Sequence, residues 1–160
     1  MKYVRILDIK PIITAILLPL AVGGLSAGLS GDISSVYLKL DKPPLSPPGE
    51  LFPIVWSILY ILMGISSFII WDNLRQSGSG RCGMIIYAIQ LVLNFFWSII
   101  FFGCGQQFAA LVVLLLLIAL VVAMIISFGA ISPIAAALQI PYLLWCIFAA
   151  YLNYSFWVLN

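Results

Sequence analysis

The chain has 160 residues, of which 64% are hydrophobic and only 8% charged, and its formal net charge is +2. Its mean hydropathy of +1.21 is far above what a water-soluble domain could cover with polar groups. No Lys, Arg, Asp or Glu occurs from Cys82 to Asn160, so the composition reads as an integral membrane protein and excludes a soluble enzyme or a nucleic-acid-binding domain.

A helix that crosses a hydrocarbon layer of about 30 Å at about 1.5 Å per residue needs about 20 apolar residues. Five segments reach that length: 10–30, 51–72, 82–103, 107–128 and 134–158. The unbroken run "LVVLLLLIALVVAMIIS" at 111–127 is incompatible with the short alternating segments of a β-barrel. The expected fold is therefore all-α, a five-helix transmembrane bundle forming one domain over residues 1–160.

The first segment follows Lys2 and Arg5 like a signal peptide, but its apolar stretch continues past the small residues "GGLSAG", which favours a span. Gly24 and Gly28, four apart beside Ala27, are expected to admit a neighbouring helix, within the bundle or in a dimer. Pro19 is expected to kink this segment, and Pro141 the fifth, because each removes a backbone hydrogen bond.

The connection 31–50 is long compared with the turns "NLRQSGSG", "CGQQ" and "GAISP", and long ordered loops tend to carry function. Its prolines fix φ near −65° and restrict the residues before them. The stretch Pro43, Pro44, Leu45, Pro47 and Pro48 accordingly reads as a preformed lid over the mouth of the bundle, the alternative being a stiff connector. Pro53 falls in the first turn of the second span, where a missing N–H does no harm, and Trp56 follows.

On the third span Tyr87, Gln90, Asn94 and Trp97 lie three, four and three apart on one face. They read as cavity lining or as hydrogen-bond glue between helices, the latter favoured for Gln90. On the fifth, Trp145, Ala149 and Asn153 form a stripe beside Leu152, a wall for a flat ligand or ordinary packing. Trp71 and Trp157 lie at span ends, where aromatic belts are expected. The alternation of span directions puts Trp56, Asn94, Trp97 and Asn153 in the half nearest the 31–50 loop. Several Trp at one depth in lipid point to stacking on a planar guest.

Cys82, Cys104 and Cys146 show neither bridgeable nor metal-type spacing and read as small hydrophobes. There is no His, and no carboxylate lies well inside a span, which removes His-ligated haem, a carboxylate proton relay and conventional acid–base catalysis. No metal and no cofactor are expected. The absence of an internal repeat argues against a transporter built from repeated halves. Lys2, Arg5, Lys10, Arg75 and Arg81 on one side against Lys39 and Lys42 on the other predict a cytoplasmic N-terminus in a bacterial cell membrane, with the 31–50 loop outside.

The run Tyr37, Leu40, Lys42-Pro43, Pro47-Pro48, Phe52-Pro53, Trp56 and Tyr60, then Gln90, Asn94, Trp97 and Phe101-Phe102-Gly103, and finally "PYLLW…FA…LNYSFW" at 141–157 resembles the translocator protein (TspO/MBR) family. Its members are also called tryptophan-rich sensory proteins or peripheral benzodiazepine receptors. The similarity extends over nearly the whole chain. It implies a five-helix bundle, often a homodimer, whose cavity opens toward the first loop and takes porphyrins and other tetrapyrroles, sterols, or isoquinoline and benzodiazepine drugs. The tetrapyrrole would be a ligand rather than a cofactor, and the partners would be the lipid bilayer, a planar small molecule and a second copy.

Carried over by position, the resemblance implies a pocket of Phe52, Val55, Trp56, Asn94, Ala109, Trp145, Phe148, Ala149 and Leu152, to which the residue pattern adds Trp97. In some bacterial members the tryptophans matching Trp56 and Trp145 are implicated in light-dependent porphyrin breakdown, so catalysis, if present, would rest on those two. Val36, Leu45 and Ala109 stand where the family commonly has Trp, and Tyr154 lacks the basic residue that completes the family's sterol pattern. The functions weighed are a receptor or carrier for a planar hydrophobic ligand, a photo-oxidative porphyrin-degrading enzyme, and a helix-packing scaffold.

Overall fold

The computed structural model of the chain describes residues 9–160; Lys2 and Arg5 lie outside them. Its elements are α1 (Ile9–Leu29), α2 (Ile33–Lys39), α3 (Leu51–Ser77), α4 (Arg81–Ser98) running into a π-helical turn (Ile99–Gly103), α5 (Gln107–Gly129), α6 (Pro133–Ala137) and α7 (Ile140–Leu159). Five helical stretches are long and apolar enough to cross a membrane: Ile9–Leu29, Leu51–Ser77, Arg81–Gly103, Gln107–Gly129 and Pro133–Leu159. The chain is an all-α, multi-pass integral membrane protein.

Four features depart from a plain five-rod reading. The second span continues beyond residue 72 to Ser77, where Gly78 in the left-handed region (φ 73°) donates its N–H to Leu74 O and stops it. The third ends in a π turn closed by Cys104 N–H donating to Ile99 O at 2.9 Å, which turns Phe101 inward and leaves Phe102 at a cavity wall. The fifth breaks outright at Leu138 and Gln139 instead of merely bending. Pro141 has no N–H for the carbonyl four residues back, and α6 starts on its own cap, Ser132 Oγ accepting from Ala135 N–H. Inside the 31–50 loop lies α2, capped by Asp32, which accepts the Ser35 N–H at 3.1 Å. That hydrogen bond holds the Asp32 carboxyl below its ordinary range.

The deepest core, with Met63, Ile70, Leu114, Val121, Met124 and Phe128 fully buried, is shared by α3 and α5 and packs on α4, α6 and α7. Helix α1 sits at the periphery, against α3 and to a lesser extent α4, with only Pro19 and Ser26 buried. Its close approach rests on Gly64 of α3, where a Cβ would stand 2.5 Å from Ile16 Cα and 2.6 Å from Ala15 O, and on Gly23, which lies against the Tyr60 ring. Gly24 and Gly28, the pair expected to serve this purpose in the bundle, have nothing within 4 Å of a built Cβ. Gly23 faces α3, and its neighbour Gly24 is rotated about 100° around the helix away from that contact.

The proline-rich strap is fastened to α2 and α7. Tyr37 Oη donates to Pro47 O at 2.7 Å and Tyr151 Oη to Pro44 O at 2.9 Å. Asp41 N–H donates to Asn160 Oδ1 at 2.9 Å, and Asn160 Nδ2–H returns a bond to Asp41 O at 3.2 Å. Burial pushes the Tyr37 hydroxyl pKa up. Leu45, at the strap's tip, is 80% exposed and is the one non-glycine residue with positive φ (69°) among the described residues. A side chain in that region costs about 1 kcal/mol.

Gly64→Ala should lower the melting temperature of the detergent-solubilised protein, by overpacking worth about 1–3 kcal/mol, while Gly28→Ala leaves it unchanged; equal effects would refute the assignment of the α1–α3 contact. Tyr151→Phe combined with Asn160→Ala should speed amide exchange at residues 41–46 about tenfold or more with α3 unaffected. Hydrogen-exchange mass spectrometry reads both segments, and unchanged exchange would show that these bonds do not fasten the strap.

Candidate functional site

On α3, Phe52, Trp56 and Tyr60 repeat every four residues and so form one stripe. The stripe lies beside Asn94 and Trp97 of α4, and together they line one side of a cavity of about 350 Å³, within the range typical of small-molecule sites. Leu20, Gly23, Gly24 and Ala27 of α1 form the opposite wall, and Ile33, Ser34 and Tyr37 of α2 with Gly49 close the loop end. The small residues of α1 leave volume where larger ones would fill it. Among the described residues no Lys, Arg, Asp or Glu lines the cavity.

The aromatic wall is continuous. Trp56 lies 5.5 Å from Tyr60, nearly parallel at 30°, and 6.3 Å from Trp97 at 36°; Trp97 in turn stacks on Phe101 at 5.8 Å. The rings are held by hydrogen bonds behind them. Trp97 Nε1–H donates to Asn153 Oδ1 at 3.1 Å, and Asn153 Nδ2–H donates to Gln107 O at 2.8 Å, so Asn153 orients a wall tryptophan and the start of α5. Deeper in, Tyr60 Oη donates to Asn94 Oδ1 at 2.7 Å, Asn94 Nδ2–H to Tyr142 Oη at 3.1 Å, and Tyr142 Oη to Gln90 Oε1 at 2.8 Å.

Of the residues expected to bind ligand, Phe52, Trp56, Asn94 and Trp97 are brought together on this cavity. Ala149 and Leu152 lie beyond Phe52 and Trp97 on a separate crevice of about 20 Å³, too small for a ring. Val55 packs on the core. Trp145 and Phe148 line neither space: Trp145 packs edge to face on Phe52 at 6.0 Å, with its Nε1 buried and unpartnered. Ala109 is exposed and Ala110 is buried in its place. The inward face of α5 runs through 110, 114, 117, 121, 124 and 128, and Ala109 falls outside that stripe.

Of the 31–50 loop expected as a lid, Ile33, Ser34, Tyr37 and Gly49 line the cavity. Pro43, Pro44, Leu45, Pro47 and Pro48 do not line the cavity, whose loop-side cover is α2 and Gly49. The bonds from Tyr151 and Asn160 draw the proline stretch toward α7, so it anchors the cover instead of forming it. Pattern reading passed over Tyr60, Tyr37 and the α1 wall. Tyr60 stands one turn after Trp56, and that spacing was the available signal.

The TspO/MBR family model matches residues 15–158. The tryptophan-rich protein TspO of Chlorobaculum tepidum is 40% identical over 124 residues, covering 78% of each chain. The translocator protein of Bos taurus is 39% identical over 149 residues, or 92% of this chain and 88% of the relative. The TspO of Archaeoglobus fulgidus is 35% identical over 155 residues, or 96% and 99%. With a family match over nearly all of its length and relatives of this identity and coverage, the chain belongs to the TspO/MBR family.

Proposed function

We propose that the protein is a membrane receptor or carrier for planar hydrophobic ligands, tetrapyrroles such as porphyrins foremost, bound between α1, α3 and α4 beneath α2. The observation that carries this reading is the uncharged cavity of about 350 Å³ walled by Trp56 and Trp97. A guest dissolved in lipid gains little from apolar burial alone, so its affinity must come from ring stacking and shape, which this wall offers. Carboxylates on such a guest stay at the mouth, because burying an unpaired charge costs several kcal/mol.

Relatives named translocator protein and tryptophan-rich protein TspO agree with a ligand-handling membrane role. The receptor reading is preferred to photo-oxidation by a Trp56–Trp145 pair because Trp56 lines the cavity and Trp145 does not, packing edge to face on Phe52 instead. We further propose that the chain sits in a bacterial cell membrane with α2 and the strap outside, since Lys10, Arg75 and Arg81 lie on the opposite side from Lys39 and Lys42.

In lipid nanodiscs protoporphyrin should quench tryptophan fluorescence saturably. Replacing Trp56 by Leu should weaken binding by about three- to tenfold, the range expected for one aromatic contact, and Trp145→Leu by less than twofold. No saturable quenching, or equal losses in the two variants, would refute the proposed cavity.

A further inference from the structure

Resting on that reading of the cavity, we infer that it selects planar aromatic ligands carrying an N–H or O–H donor on their edge, and that the acceptor they meet is the hydroxyl oxygen of Tyr60. The direction of the hydrogen bonds around the cavity supports this. Among the described residues six that bear a hydroxyl line it: Ser26, Ser34, Tyr37, Ser57, Tyr60 and Ser98. In three of them the hydrogen goes to a main-chain carbonyl, which can only accept: Ser26 Oγ to Phe95 O at 2.6 Å, Tyr37 Oη to Pro47 O at 2.7 Å and Ser57 Oγ to Pro53 O at 2.7 Å. Ser98 is committed as well. Ser30 Oγ donates to Ser26 O at 2.7 Å, so in the 2.9 Å contact between the two hydroxyls Ser98 is the donor.

Tyr60 is the fifth of the six whose hydrogen is committed. Its 2.7 Å bond to Asn94 and the 2.8 Å bond from Tyr142 to Gln90 have the length of O–H···O pairs, while the 3.1 Å step between Asn94 and Tyr142 has that of N–H···O. The chain therefore runs one way, Tyr60 to Asn94 to Tyr142 to Gln90, and begins with an oxygen whose lone pair has no hydrogen bond within that chain. Trp97 Nε1–H is likewise committed, to Asn153. The donors that remain on the lining are the Trp56 indole N–H, the Ser34 hydroxyl and the second Asn94 amide hydrogen. Tyr60 is the acceptor best placed for a stacked guest, because its ring lies one turn from Trp56 and 5.5 Å away. A ligand acceptor brought to this oxygen would set two lone pairs against each other away from water, and a donor would gain a hydrogen bond worth about fivefold in affinity.

Three tricycles of the same shape separate these cases: carbazole offers an edge N–H, fluorene a CH₂ and dibenzofuran an ether oxygen. Their binding to the full chain in nanodiscs, corrected for partition into protein-free discs, should follow carbazole, fluorene, dibenzofuran, with about fivefold between the extremes. In Tyr60→Phe the spread should fall below twofold. Equal binding or the reverse order in the unmutated protein would overturn the inference, and that order decides the matter even if Tyr60→Phe does not fold. A spread that survives in Tyr60→Phe would overturn the assignment to Tyr60. Failure of all three tricycles and of protoporphyrin to bind would instead remove the cavity reading on which the inference rests.

Discussion

The hydrogen-bonded chain Tyr60–Asn94–Tyr142–Gln90 joins α3, α4 and α7 at a depth where no solvent replaces a lost partner. In lipid such groups must be satisfied within the protein, so helix rotations that would part them are disfavoured. Fixing the rotation of α3 through Tyr60 also fixes Trp56 and Phe52, about one and two turns earlier on the same stripe. Fixing α4 through Gln90 and Asn94 does the same for Trp97. The second chain, Trp97 to Asn153 to Gln107 O, brings the start of α5 into register. The aromatic wall is in this sense a by-product of two polar networks behind it.

The space in front of the wall depends on α1. That helix is little buried and is held close by Gly64 and Gly23, and beyond those contacts it presents Gly24 and Ala27 to the cavity. A tight contact in one stretch and small side chains in the next together make a cavity at the edge of a bundle whose centre is filled. The strap works at the other end. Its bonds to Tyr151 and Asn160 of α7 and its neighbour hold the chain that carries α2, which is the part that covers the cavity.

Much of this was legible in the sequence. Hydropathy and length located every span, because the cost of exposing peptide groups to lipid leaves few alternatives. The α7 break, the π turn and α2 were less so. Pro141 announces a disturbance but not whether it bends or breaks the helix, because a proline interior to a helix does either. The Asp32–Ser35 cap of α2 was readable in retrospect.

Within the site, spacing on α3 and α4 grouped Phe52, Trp56, Asn94 and Trp97, which share one cavity lining. Position-by-position transfer also named Trp145, Phe148 and Ala109, which do not line that cavity. Whether those face a cavity depends on the rotation of α5 and α7, which long-range contacts set and local pattern does not. The glycines make the same point: Gly24 and Gly28 have the familiar spacing, but Gly23 and Gly64 hold the contact.

A structure of the protein with bound protoporphyrin tests the account most directly. The ring should lie between α1 and the Trp56–Trp97 wall, beneath α2, with its carboxylates at the mouth and no contact to Trp145. A porphyrin stacked instead on Trp145 and Phe148, or bound outside the bundle with the α1–α3–α4 cavity unfilled, would contradict it.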